Sequence, residues 1–185
     1  MAVSKFIQSV KDEAKGRPRS TQWYRDKIKE FGVPGPLDLI RDGKRSGSPF
    51  YGKLNMFMYD PKHKKKLPYY DTFPLVLPLE NYPDGFLGIN FHYLGMTLRI
   101  KLLHRLVDFS NNPAFDESTR LVVDYKKLKN INIIKPTIHR YLSGQMKSQI
   151  RRIDADEFTI ATLLPVQRFK KESAKRVWAD SRGMI

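Results

Sequence analysis

The centre of the chain carries three short aromatic-rich segments separated by turn-forming residues. They are YGKLNMFMY at 51–59, YYDTFPLVLPL at 69–79 and FLGINFHY at 86–93. Aromatic and β-branched residues in short runs bounded by Pro, Asn, Asp and Gly are typical of short antiparallel strands. Pro74 and Pro78 cannot donate to a sheet ladder, so parts of the second segment are predicted at an edge or a bend. A small SH3-like barrel of bent strands is therefore favoured over a flat sheet.

Helical patterns precede and follow these segments. Residues 3–15 have apolar side chains at helical spacing. A second stretch with the same spacing begins after Ser20, which can cap it. The sequence MTLRIKLLHRLVDF (96–109) sets its leucines on one stripe, which predicts the clearest helix of the chain. Arg99 and the other basic residues of this helix are predicted to point away from that stripe.

The C-terminal part is predicted to be mostly helical. Residues 141–153 are interpreted as a helix, and Asp154 with Glu157 forms a capping-box pattern ahead of FTIATLL. A basic helix is predicted to close the chain over 166–182. Residues 120–125 (RLVVDY) fit either a strand or the start of a helix. The predicted fold class is therefore α+β: a small SH3-like antiparallel β-barrel core with N- and C-terminal helices.

A chain of 185 residues is long enough for one packed domain and too short for two independent ones. Three segments are predicted within it: N-terminal helices and a Gly/Pro-rich arm at 1–50, a barrel-like core with the central helix at 51–135, and a basic helical region at 136–185. The stretch 33–50 is dense in Gly, Pro and Ser, so it is interpreted as a linker or as an arm lying over a neighbour's surface.

The charge balance predicts an acidic partner. Thirty-four Lys and Arg against nineteen Asp and Glu give a net charge of +15. Nucleic acid is the first candidate because Lys and Arg that neutralise phosphates release counterions. An anionic membrane surface or an acidic protein is also compatible with the charge. No window approaches a membrane span and no signal peptide is evident, so we expect a protein of a cytoplasm or of a particle assembled there.

Enzyme patterns are missing from the sequence. It has neither a GxxxxGK[ST] nor a GxGxxG motif, and the absence of Cys excludes disulfides and thiolate chemistry. His92 is interpreted as a hydrogen-bonded strand residue and His104 as a surface residue. Capping explains the carboxylates Asp154, Asp156 and Glu157 better than a metal site does. No catalytic residue, metal or cofactor is predicted, although a nucleic-acid-processing enzyme stays open as a third hypothesis.

Two concentrations of basic residues are the candidate binding sites. Lysines can hold phosphates and a neighbouring ring can stack on a base. Alternatively, the lysines only keep an edge hairpin soluble and the Tyr69–Tyr70 pair is split between core and surface. The candidates for binding nucleic acid or an acidic partner are Lys62, His63, Lys64, Lys65, Lys66 and Tyr69 at a hairpin tip, and Arg151, Arg152, Lys170, Lys171, Lys175, Arg176 and Arg182 towards the C-terminus.

Three stretches also carry a resemblance to a known family. GKLNMFMYDPK at 52–62, LPYYDTFPLVLPL at 67–79 and DGFLGINFHYL at 84–94, with the Arg-containing helix that follows, resemble small virion proteins of contractile-tailed, T-even-like phages. Within that group the chain is most similar to the DNA end protectors.

The resemblance implies a non-enzymatic structural protein at the head-to-tail joint that binds or protects the packaged genome end. It further implies several copies in a symmetric ring, contacts with neck, portal or tail proteins and with DNA, and no membrane partner. The expected location is the virion, and the host cytoplasm during assembly. The alternative is a tail or baseplate component whose basic surface serves protein contacts only.

Overall fold

The computed structural model describes residues 3–17, 19–41, 43–110, 121, 128 and 131–185. The described α-helices are α1 (Val3–Ala14), α2 (Thr21–Phe31), α3 (Pro36–Arg41), α4 (Met96–Ser110), α5 (Phe158–Leu163) and α6 (Ala174–Met184). Short 3-10 turns lie at Phe91–Tyr93, Asn132–Thr137, Ser143–Gln145 and Ala155–Glu157. The described strands are β1 (Arg45–Ser46), β2 (Leu54–Met56), β3 (Tyr70–Asp71), β4 (Leu75–Tyr82), β5 (Gly85–Asn90), β6 (Ile138–Leu142), β7 (Ile150–Ile153) and β8 (Phe169–Lys170).

The helix ends follow the local chemistry of the sequence. The Ser20 side chain accepts a hydrogen bond from the Trp23 amide at 3.1 Å, which satisfies one of the free amides at the start of α2. Gly32, with φ 79°, ends the same helix in a conformation that glycine adopts without strain. Asp154 and Glu157 form the predicted capping box. The predicted Ser20 cap and the predicted capping box are therefore confirmed.

The strands form an antiparallel six-stranded sheet in the order β1-β7-β2-β4-β5-β6, and β3 pairs with β8 in a separate two-stranded sheet. Pro78 lies in β4 opposite Gly88, where the register shifts before Glu80, as expected for a proline at a bend. The α+β class is confirmed. Among the described residues the large sheet is open, with β1 and β6 at its edges, so the predicted SH3-like barrel is not observed.

Long-range pairing overrides the predicted helix at 141–153, and that prediction is wrong. The chain there contributes the end of β6, a 3-10 turn and β7. Tyr141 pairs with Phe86 of β5, and Ile153 pairs with Leu54 of β2. All four side chains are buried, because cross-strand burial outweighs the weak helical preference of this stretch.

Two further boundaries differ from the predictions. The strand predicted at 86–93 ends at Asn90, whose side chain accepts from the His92 amide at 3.0 Å and starts a 3-10 turn. The helix predicted over 166–182 is a short strand, β8, followed by α6. Ser173 starts α6 by accepting from the Arg176 amide at 3.3 Å. The ambiguous stretch 120–125 lies outside the described residues, apart from the buried Leu121.

The segment 33–50 is not a free arm. Its helix α3 buries Leu39 and Ile40 in the chain's own core, and β1 pairs with β7 through Arg45 and Arg151. The short apolar pattern LDLI accounts for this packing, since two of its side chains point inward. Contact of this stretch with a neighbouring protein stays a prediction.

Both faces of the large sheet are covered. Leu75 and Leu77 of β4 join the main core with the leucines of α4, which confirms the predicted leucine stripe of that helix. Val76, between them, faces a smaller cluster of Phe57, Tyr59, Phe86 and Tyr141. The rings of this smaller cluster lie 5.1 to 6.1 Å apart, mostly edge to face.

Candidate nucleic-acid interface

The lysine run forms an exposed turn between β2 and β3, which we call the lysine turn (residues 60–68). The Lys64 amide donates to the Pro61 carbonyl at 3.3 Å and the Lys66 amide to the His63 carbonyl at 2.9 Å. The Lys64 ammonium also bonds both oxygens of Asp60, at 2.9 and 2.8 Å, and this hydrogen bond raises the pKa of Lys64. Lys64 is therefore partly engaged within the turn itself.

The other three lysines of the turn present unneutralised charge. Lys62, Lys65 and Lys66 are exposed, and no carboxylate of the described residues lies within ion-pair distance of them. The His63 side chain is exposed beside them. Like charges held this close repel one another, so the arrangement favours an anionic partner.

The C-terminal basic segment lies directly against the lysine turn. Strand β8 pairs with β3 so that Lys170 is opposite Tyr70. The Lys171 ammonium donates hydrogen bonds to the carbonyl oxygens of Lys65 at 3.1 Å and Leu67 at 2.6 Å. The fold thus joins two groups of cations that are about a hundred residues apart in sequence.

Helix α6 adds further charge next to this junction. Lys175 and Arg176 are exposed in its first turn. Burial raises the pKa of Tyr69, and the nearby charge of Arg176 acts in the opposite direction. Arg176 is 65 % exposed and pairs with Asp180 at 3.2 Å. We call the following residues the basic cluster: Lys62, Lys65, Lys66, Lys170, Lys175 and Arg176.

Other predicted binding residues lie on β7 and at the end of α6. Arg151 is buried on β7 and donates to Glu157 at 2.9 Å. Arg152, on the same strand, pairs with Asp154 at 2.7 Å, and its guanidinium lies 5.8 Å from the centre of the Phe50 ring. Arg182 is exposed in the last turn of α6. The charges of Arg151 and Arg152 serve internal contacts, and we leave both out of the cluster.

A buried carboxylate holds β3 and β8 in place. Asp71 accepts from the amides of Phe73 at 2.9 Å and Arg168 at 3.0 Å, and from the side chains of His92 at 2.8 Å and Asn90 at 3.3 Å. Burial opposes ionisation, but His92 and the two amides outweigh it, so the pKa of Asp71 is lowered. Burial lowers the pKa of His92, so its neutral Nδ1–H donates to the charged carboxylate.

A buried arginine docks α6 onto the rest of the fold. Arg99 is fully buried, so the prediction that it points away from the core is wrong. Its guanidinium donates to the carbonyls of Leu94 at 2.7 Å and His92 at 3.3 Å and lies 5.5 Å from the Trp178 ring centre. Trp178 donates to the same His92 carbonyl at 2.9 Å. Burial lowers the pKa of Arg99 to about 9, which still leaves it charged at neutral pH.

An aromatic pocket opens beside the lysine turn. It has a volume of about 220 Å³. The Tyr93 and His139 rings lie 4.0 Å apart between centroids, tilted by 32°, and the Tyr69 ring lies 6.0 Å from that of Tyr93. Tyr69 and Tyr70 are both half-buried, so strand alternation does not divide them into one core and one surface ring. The lining residues are Leu67, Pro68, Tyr69, Tyr93, Pro136, His139 and Met184.

The described part of the chain shows no group of three His, Asp or Glu side chains arranged to hold a metal ion. His92 is entirely buried and its partner Asp71 nearly so, which keeps substrates from this acid–base pair; His104 is exposed, as predicted. No described helix is long and apolar enough to cross a membrane.

These observations define a small basic α+β protein whose fold gathers cations from distant parts of the chain. A family model for the phage T4 terminal DNA protecting protein matches residues 2–181. The chain therefore belongs to this family of phage DNA end protectors, and the resemblance seen in the sequence is confirmed. Comparisons with curated proteins and with solved structures gave no significant match.

Sequence reasoning missed several residues of this region. Arg168 is exposed next to β8, while Tyr93 and His139 line the pocket. Their positions depend on the pairing of β3 with β8 and on the 3-10 turns before β6, which no local pattern reveals. The one available signal was the basic run from Arg168 to Lys171.

Proposed function

We propose that the protein is a non-enzymatic virion component that binds the end of the packaged genome near the head-to-tail joint through the basic cluster. The observation that carries this proposal is the bonding of Lys171 to the lysine turn, which joins both groups of cations into one surface. The family's description as a terminal DNA protecting protein supports DNA as the anion.

The physical basis is the phosphate charge of DNA. Each phosphate that a lysine neutralises releases a condensed counterion, which favours binding without any reading of sequence. A surface whose main chain is fixed by strand pairing and by Lys171 loses less conformational freedom on binding than a mobile loop would. Such a surface can cover terminal phosphates and so keep exonucleases from the DNA end.

Contacts with neighbouring virion proteins are part of the proposal. Phe31, Val33 and Leu37, between the end of α2 and α3, are 39, 47 and 59 % exposed. Exposed apolar side chains grouped in one segment are typical of interaction sites. Several copies in a ring with neck, portal or tail proteins would bring many basic clusters to one DNA end, within the virion and during assembly in the host cytoplasm.

The test compares binding to linear duplex DNA with binding to a closed circle of the same sequence. The first variant combines Lys62→Gln, Lys65→Gln and Lys66→Gln, which spares Lys64 because of its bond to Asp60. The matched control combines Arg25→Gln, Lys29→Gln and Lys101→Gln, three exposed cations of α2 and α4 that change the net charge equally.

The wild type and the control are expected to prefer the linear duplex and to protect it from an exonuclease. The first variant is expected to lose both properties. Its salt dependence, as log K against log salt, is expected to flatten by roughly 0.9 for each lost phosphate contact.

Two outcomes would contradict the proposal. Equal affinities of the two variants would show that the basic cluster is not the DNA site. That result would favour the alternative, a tail or baseplate component that uses its charge for protein contacts. Cleavage of the DNA when Mg²⁺ is added, lost on changing a single carboxylate, would instead establish a nucleic-acid-processing enzyme.

A further inference from the structure

We propose that the aromatic pocket receives one unpaired base at the terminus of a DNA strand. This inference rests on the proposed function, and it adds a contact that recognises the end itself. Leu67 and Pro68, which form one wall, belong to the lysine turn. The pocket therefore lies next to the main chain that carries Lys65 and Lys66.

The size of the pocket selects a single ring system. Sites for drug-sized ligands have volumes of roughly 300–1,000 Å³. The volume of about 220 Å³ is smaller, and its lining is mostly aromatic and aliphatic. A flat base matches this space better than a whole nucleotide does, and a base pair inside a duplex cannot enter it. Only a frayed or overhanging terminal base is free to do so.

The rings present a surface suited to stacking. Tyr93 is 6 % exposed and is held between His139 at 4.0 Å and the edge of Phe169 at 5.2 Å. Tyr69 contacts Phe169 edge-on, with 82° between the ring planes, and remains half-buried. Tyr69 therefore offers ring surface towards the pocket while its neighbours fix its position.

His139 contributes a neutral ring. Its Nε2 lies 3.2 Å from the Pro136 carbonyl, which can only accept, so Nε2 carries the hydrogen and donates. Burial lowers the pKa of His139 to about 4, so the ring is uncharged at neutral pH. An apolar, uncharged pocket takes the base, and the adjoining cations take the charge of its phosphate.

The exposed rim of the pocket favours an occupant with an apolar face. Leu67 and Met184 are 36 and 54 % exposed beside strongly charged residues. A base lying over them would cover this apolar surface, while its backbone would run along the lysine turn. Charge complementarity thus points to a nucleic-acid end as the occupant, rather than an uncharged ligand.

The experiment uses duplex DNA with 2-aminopurine, a fluorescent base that is quenched on stacking. The label is placed either in a one-base overhang at the terminus or at an interior position. Wild-type protein is expected to quench the terminal label several-fold more than the interior one. Tyr69→Phe keeps the ring and is expected to behave like the wild type.

Tyr69→Leu keeps an apolar side chain and removes the ring. It is expected to lose the terminal quenching and about 5- to 150-fold in affinity for ends. A thermal unfolding curve shows whether this variant is folded. If the variant is unfolded, the comparison of the terminal and interior labels with the wild-type protein still tests the proposal.

The outcomes separate the two proposals. If the wild type binds linear DNA but quenches both labels equally, the pocket does not hold the terminal base and the proposed function stands. If the wild type binds no DNA, both proposals are wrong. If Tyr69→Leu quenches the terminal label as the wild type does, stacking on Tyr69 is excluded.

Discussion

The ammonium nitrogen of Lys171 lies 2.6 Å from the carbonyl oxygen of Leu67, a residue 104 positions earlier in the chain. The same ammonium bonds the Lys65 carbonyl at 3.1 Å. The Lys171 ammonium is thus engaged with main-chain carbonyls of the lysine turn. The backbone of Lys171 itself is left-handed, with φ 72°. It positions the other cations, which distinguishes it from those that are free to bind.

Replacing Lys171 by Asn is expected to loosen the lysine turn. Asn tolerates a positive φ better than most residues, so the effect comes from the lost ammonium and not from backbone strain. Amide hydrogen exchange in residues 62–69 is expected to become faster, and DNA affinity to fall by more than the loss of one charge explains. Exchange measured by mass spectrometry provides the first readout and salt titration the second.

Lys29→Asn is the matched control for this prediction. Lys29 is an exposed cation in the last turn of α2. It is expected to change the affinity by no more than one distant charge does and to leave exchange in the lysine turn unaltered. If Lys171→Asn behaves in the same way, Lys171 does not position the turn.

Asp71 is expected to be critical for folding stability. The substitution Asp71→Asn keeps the shape but removes the charge and turns one acceptor oxygen into a donor facing other donors. Unmatched buried groups of this kind cost about 2–4 kcal/mol in the free energy of unfolding. Denaturant titration should show this loss, together with weaker pairing of β3 and β8.

Asp84→Asn is the corresponding surface control, since Asp84 is 63 % exposed where it pairs with Arg140. Exposed pairs contribute little, so a much smaller loss is expected. Equal losses for the two variants would show that the bonds of Asp71 to His92 and to the two amides contribute no more to stability than an exposed ion pair does.

The parts of the fold that the sequence predicts are those with local causes. The Ser20 cap and the leucine stripe of α4 depend on residues three or four positions apart, and both appear in the structure. By contrast, Ile150–Ile153 is a strand because it pairs with β2 and β1, about a hundred residues away. The spacing of apolar residues along the chain gives no information about such a long-range pairing.

The candidate site shows the same division. Exposure of the lysine turn follows from its composition, and the structure agrees. The sequence could not show that Lys171 is committed to main-chain carbonyls, or that Arg151 is buried against Glu157. Both are cations in basic runs, and no local feature of the sequence distinguishes Lys171 from its exposed neighbour Lys170.

Two histidines with lowered pKa values, His139 and His92, predict how stability depends on pH. The pKa of His139 in the folded protein is about 4, below its ordinary value of 6.5, because burial disfavours the charged ring. Between these two values the unfolded chain binds a proton that the folded chain does not. The contribution of His139 to the free energy of unfolding is therefore fully present above pH 6.5 and decreases as the pH falls towards 4.

The variant His139→Gln isolates this contribution. Since His139 is partly exposed, we expect it to account for about 1–3 kcal/mol of the loss between pH 6.5 and 4. The variant should flatten that part of the curve without removing it, because the pKa of His92 is lowered in the same direction. His104→Gln changes an exposed histidine and serves as the matched control. Urea titrations at several pH values measure all three proteins, and identical slopes for the wild type and His139→Gln would show that His139 is protonated in the folded state.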